Sequence, residues 1–220
     1  MTTGVMAETQ AKPEYLGLLN AISLAESRAG VYLKAWADVT PDPALKQALA
    51  FVAARETTHG AVFCQRIERL GFALREREDP DFEGRLAVYG DPTISDFDKI
   101  RHPRYGSRSE NGESEGNDPF AGINARINDD AVDSLTRDTL RWFVAEERDS
   151  GALLREAYAR VEAQANGHGR QTGGSNGTTP AVSADAQAIM ACMTQGFAAL
   201  QQCITELTGA LARQGSSKKK

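Results

Sequence analysis

Apolar residues recur at three- and four-residue spacing over four long stretches of this chain, and no stretch alternates as a half-buried strand would. In the first, about residues 14–39, Tyr15, Leu18, Leu19, Ile22, Leu33 and Trp36 form one stripe. Thr40-Pro41-Asp42-Pro43 ends it and starts the next helix, with Asp42 as the predicted N-cap and Pro43 at the first helical position. The second, about 43–71, carries Leu45, Leu49, Val52, Val62, Phe63, Ile67 and Leu70 on one face, and Gly71 stops it. The third, about 130–163, turns Leu135, Leu140, Phe143, Leu153, Leu154 and Tyr158 inward. The fourth, about 183–212, follows Ser183 as N-cap and carries Ile189, Met193, Phe197, Leu200, Ile204, Leu207 and Leu211. The expected fold class is all-α: a single domain of four long helices in two antiparallel hairpins.

Two polar stretches interrupt the pattern. Residues 72–129 form an irregular insert in which Arg85–Tyr89 and Ser95–Ile100 have the length of single helical turns. Within it, 105–118 is rich in Gly, Ser, Asn and Glu and reads as a mobile loop. Residues 164–182 have the composition of a flexible linker.

Thirty acidic against 25 basic residues give a net charge of -5, which argues against general affinity for nucleic acid or anionic membrane. The basic run Lys99–Arg108 adjoins Glu110, Glu113 and Glu115 and reads as a solvated loop, and Lys218, Lys219 and Lys220 as a short exposed tail. No apolar run is long enough to span a bilayer and no secretion signal is evident, so a cytoplasmic protein is expected. Cys64, Cys192 and Cys203 are odd in number, form no C-x-x-C pair, and read as small core residues rather than disulfides or zinc ligands.

The informative residues are charges placed inside the apolar stripes, because burying a charge is costly unless something neutralises it. Glu26 has Leu19, Ile22, Ala29, Gly30 and Leu33 as its face neighbours. Glu56 and His59, three apart, share the face of Leu45, Leu49, Val52 and Phe63. Glu147 sits among Leu140, Phe143, Ser150, Gly151 and Leu154, and Glu146 is the alternative, facing Phe143 and Leu153. Three helices each point a carboxylate inward and one adds an imidazole, a set that a metal ion would neutralise. Pairing with Arg28, Arg55 or Arg148, each close in sequence, is the competing explanation.

The stretch Leu24-Ala-Glu26-Ser-Arg-Ala-Gly30, followed thirty residues on by Arg55-Glu56-Thr-Thr-His59-Gly60, resembles the first helix pair of the ferritin-like superfamily, in its rubrerythrin-type branch. The likeness covers about residues 14–71. Glu26-Ser-Arg-Ala-Gly30 also resembles Glu147-Arg-Asp-Ser-Gly151, a trace of the family's repeated hairpin. The resemblance implies a four-helix bundle with metal ligands Glu26, Glu56, His59 and Glu147. It also implies iron or manganese as the ion, one or two per chain, with zinc as a further candidate, and a ferroxidase or peroxide-reducing role if the centre is catalytic.

The fourth helix departs from that family's pattern. Setting Cys203 against Cys64 puts Gln195 where Glu56 lies and Ala198 where His59 lies, and 184–212 contains no His. His102 and His168 fall in expected loops and read as surface residues. One metal could be held by the remaining set, whereas a bridged pair would lack one Glu and one His unless a homodimer joined two half-sites. No rubredoxin-type cysteines are present, so an electron donor would be a separate protein. The alternative is a non-catalytic scaffold or interaction protein whose insert and linker carry the partner surface.

Overall fold

A computed structural model describes residues 11–106 and 118–168, which form six helices and, among the described residues, no strand. They are α1 (Leu16–Val39), α2 (Pro43–Arg69), α3 (Phe82–Gly90), α4 (Asp96–Ile100), α5 (Ala121–Ile127) and α6 (Ser134–His168). The all-α class holds. The expected fourth long helix, with Gln195, Ala198, Cys192 and Cys203, lies outside the described residues, as do 107–117 of the loop and 169–182 of the linker.

Local chemistry accounts for the long hairpin. The Asp42 carboxylate accepts hydrogen bonds from the amides of Ala44 and Leu45 at 2.8 and 2.9 Å, with Pro43 at the first helical position. Gly71 has φ 78°, the left-handed conformation that ends α2. Between the two caps α1 and α2 approach backbone to backbone. Ser23 Oγ donates to the Gly60 carbonyl at 2.8 Å, and a Cβ added to Gly60 would lie 2.9 Å from the Ser27 amide nitrogen. The small residues at this level let two helices meet where both carry site residues.

The third long helix, α6, runs antiparallel to α2 and parallel to α1. Arg66 near the end of α2 bonds Asp133 and Thr136 at the start of α6, and Asp42 at the start of α2 reaches Arg160 near its end. Tyr15 meets Asp133 at one end, and Trp36 stacks on Tyr158 at the other. A ferritin-like order, with its single long crossover, would bring the third helix in parallel to the second. Here α6 begins at the end where α2 stops.

The insert is more ordered than its composition implies. Its segment after α2 lies along α1, where Asn20 bonds the backbone of Arg75 on both sides and Arg28 donates to the Arg77 carbonyl. Tyr89 of α3 and Ile100 of α4 join one apolar core; Ile123 and Ile127 of α5, a helix the periodicity does not indicate, join the other. Leu135, expected inside, is 49% exposed, because the next residue, Thr136, points inward to Arg66 and Asp133. Helix α6 continues past the expected end at 163 to His168, which is therefore helical rather than in a loop. Among the described residues no helix is long and apolar enough to cross a membrane.

Candidate metal centre

The two apolar cores lie at opposite ends of the bundle. One gathers Leu19, Ile22, Phe63, Ile67, Leu140 and Phe143, and the other Trp36, Leu45, Leu49, Val52 and Tyr158. The layer between them is polar and buried: Glu26 is 7% exposed, Glu56 5%, Glu147 6% and His59 0%. All four residues singled out in the sequence therefore meet in one place. One donor atom from each lies within 4.8 Å of the other three.

His59 is the hub. Its Nδ1 lies 3.0 Å from Glu147 Oε1, 3.8 Å from Glu56 Oε2 and 4.0 Å from Glu26 Oε2. Its other nitrogen, Nε2, faces Glu146 Oε2 at 3.0 Å. Trp142 and Phe143 pack edge-on against the ring at 4.9 and 5.1 Å between centroids, which fixes its plane. Glu146, the alternative ligand of the sequence reading, thus sits on the far side of the imidazole from the cluster. It is held there by Arg55, whose Nε is 3.7 Å from Glu146 Oε2 and whose NH1 bonds Asp149 and Ser150. Arg28 donates to the Arg77 carbonyl and Arg148 leans toward Asp118, so the arginines considered as partners bond elsewhere and leave the buried carboxylates with His59 as the cation beside them.

The electrostatics follow from that crowding. Burial holds the Glu26 carboxyl well above the usual range, and the charges of Glu56 and Glu147 add to the effect. Burial likewise pushes Glu147 up to about 7, against the pull of His59. For His59, burial alone would disfavour the charged ring, but the carboxylates of Glu147, Glu56 and Glu146 outweigh it and raise the imidazolium to about 10. Without a metal the cluster is therefore filled by protons.

Protons do not satisfy the geometry. His59 Nδ1 and Glu147 Oε1 are both buried and neither has a hydrogen-bond partner; their 3.0 Å approach is a charge contact without hydrogen-bond alignment. Buried orphan atoms are rare in folded proteins and call for an explanation. The four donors, within 4.8 Å of one another, would have to draw in toward a common centre to hold one ion at donor–metal distances of about 2.0–2.2 Å. Three carboxylate oxygens and one neutral imidazole suit iron, manganese or zinc, while the nitrogen disfavours calcium and magnesium.

The remaining sequence candidates fall outside this layer. Cys64 is half-buried on α2. His102 lies in a loop, stacks on Tyr105 at 5.2 Å and accepts hydrogen bonds from the backbone amides of Arg104 and Tyr105. No family model, characterised protein or solved structure matches the chain.

Proposed function

We propose that this protein binds iron or manganese within its helical bundle, using a ferritin-type half-site together with one carboxylate of a third helix, on a bundle wound in a different order. Glu26, Glu56 and Glu147 supply oxygen donors and His59 supplies Nδ1. The observation that carries the reading is the pair of buried, partnerless atoms His59 Nδ1 and Glu147 Oε1 at the meeting point of four donors.

The chain's own groups have separable tasks. Glu146 accepts the Nε2 proton of His59, which leaves Nδ1 as the lone-pair nitrogen facing the carboxylates. Arg55 and Asp149 anchor Glu146 from the surface side. The apolar cores above and below exclude water, so only protons or a bound cation can offset the carboxylate charge. When bound, iron or manganese would bring Lewis acidity and one-electron redox chemistry to this layer.

The second reading is a bundle that has lost its metal and serves as a scaffold. The raised titration of Glu26, Glu147 and His59 favours it to this extent, that protons alone can balance the buried charge. Metal content by mass spectrometry on untagged protein, beside a Glu56→Ala/His59→Ala variant, separates the two. The expected result is about one iron or manganese ion per chain, in keeping with a single four-donor site, lost in the variant. No metal in either sample after anaerobic loading with iron(II) would overturn the metal reading.

A further inference from the structure

A second buried polar group lies far from this layer. Lys99, on α4, is 1% exposed, and its side-chain ammonium makes no hydrogen bond or ion pair with another described residue. Lysine is among the residues least often buried, and a buried ammonium without a partner is costly. Its nearest carboxylate neighbours act at a distance. Burial lowers the Lys99 ammonium from its ordinary range, and the charges of Asp96 and Asp91 offset this only in part. Both oxygens of Asp96 are already engaged, Oδ1 by Trp36 Nε1 at 2.7 Å and Oδ2 by Thr40 Oγ1 at 2.6 Å.

Lys99 lines a cavity of about 420 Å³ between the end of α1, the α3–α4 connection and the last turns of α6. Val39, Pro41, Ile94, Phe97 and Val161 give it apolar walls. Thr93 and Ser95 also border it, but their hydroxyls donate to Asp91 and Asp98, so they offer a ligand no proton. Among the described residues that line it Lys99 is the one cation; Asp96 also lines it, with both oxygens engaged by Trp36 and Thr40. A cavity of this size with mostly apolar walls and a few placed polar groups is the usual form of a small-molecule site.

The geometry points to a binding site for a small monocarboxylate with an apolar body, its carboxylate paired with Lys99 and its body against Val39, Ile94, Phe97 and Val161. One unpaired cation matches one negative charge. A phosphate dianion would bring a second charge toward Asp96 and Asp91 with no further cation to meet it. The site is independent of the metal reading: thirteen residues separate Glu26 from Val39 and fourteen separate Glu147 from Val161, about 20 Å along either helix.

The test is calorimetric titration of the full chain with octanoate, and with octanol as the same body without the charge. Octanoate is expected to bind one per chain, and Lys99→Met to weaken it about tenfold or more while leaving octanol unchanged, since the lost contact is charge-assisted. Val161→Trp, which fills the cavity and keeps the lysine, is expected to abolish octanoate binding, and decides the matter if Lys99→Met does not fold. Absence of octanoate binding to the wild type would overturn the proposal, as would binding that survives Lys99→Met or Val161→Trp in folded protein. Metal content of the two variants should equal that of the wild type, so failure here leaves the metal reading untouched.

Discussion

Glu146 and Glu147 are neighbours in the chain and opposites in role. A helix turns about 100° per residue, and that rotation carries one carboxylate to each nitrogen of the His59 ring. Glu147 meets Nδ1 within the buried layer, and Glu146 meets Nε2 near the surface, with its side chain 31% exposed. Partners of this second kind commonly change metal affinity by about 10–100-fold, because they hold the imidazole tautomer and its orientation. Glu146→Ala should weaken manganese(II) binding by about that factor while the fold persists, and Glu146→Gln should fall between the variant and the wild type. Titration followed by Trp142 fluorescence checks this, since that ring packs on His59; equal affinity in all three proteins would refute the role. The four inner residues were legible in the sequence because each is a charge or imidazole inside an apolar stripe. The role of Glu146 was not. Its partner lies 87 residues away, and Arg55, which anchors it, bonds across to α6 from α2. Lys99 was hidden for the opposite reason: in a five-residue helix no periodicity shows which side faces inward.

At the scale of elements, one side chain ties three long helices together. Asp133 precedes α6 and caps it by accepting from the Thr136 amide at 3.0 Å. It also accepts from Tyr15 before α1 at 2.7 Å and from Arg66 of α2 at 2.7 Å. Burial alone would raise this carboxyl, but the bonds from Thr136, Tyr15 and Arg66 prevail and hold it well below the ordinary aspartate range. The depressed value has a defined sign: stability from Asp133 is present above the unfolded carboxylate's titration near pH 4 and is lost as pH falls through the lower folded value. Asp133→Ala should cost about 2 kcal/mol in urea unfolding at pH 7, the sum of a lost cap and a stranded arginine, and less below pH 3. An unchanged midpoint at pH 7 would show that the knot contributes nothing. Signals of this local kind are what made α1 and α2 readable, through Pro43, Asp42 and Gly71. Helix α5 gave no such signal, since seven residues with two buried isoleucines fall short of a recognisable period. The end of α6 was missed because Gln164, Ala165 and Asn166 do not break a helix, and the first glycine is Gly167. The direction of α6 lay outside the reach of pattern altogether: helix periodicity is the same whichever way the helix enters the bundle, and the end at which α6 starts is set by the long insert.

For the whole molecule, the polar layer links stability to pH, and the proposed metal would enter the same equilibrium. Glu147 titrates near 7 in the fold, against about 4.5 for a free carboxyl, and His59 near 10 against 6.5. Both values are raised, so the folded state binds more protons than the unfolded state between about pH 4.5 and 10, and stability falls as pH rises across that window. The part due to Glu147 is complete below about pH 4.5 and is lost as pH passes 7; the part due to His59 is complete below 6.5 and is lost toward 10. On the proposed metal reading, a divalent ion would take the place of those protons. It keeps the carboxylates charged and requires His59 neutral, so its contribution grows over the pH range in which the protons' contribution fades. Metal-free protein should therefore melt at a lower temperature at pH 8.5 than at pH 6, through this layer. Manganese(II) at a hundred times its dissociation constant adds about 2.7 kcal/mol, or roughly 5–10 °C for a chain of this size. At one fixed manganese concentration the gain should be larger at pH 8.5 than at pH 6, because fewer protons must be expelled. Glu56→Ala/His59→Ala should lose both the metal gain and most of the pH slope. Calorimetric scans of the two proteins, with and without manganese at the two pH values, read all of these at once. A manganese gain independent of pH, or retained in the variant, would place the bound ion somewhere other than between the two cores.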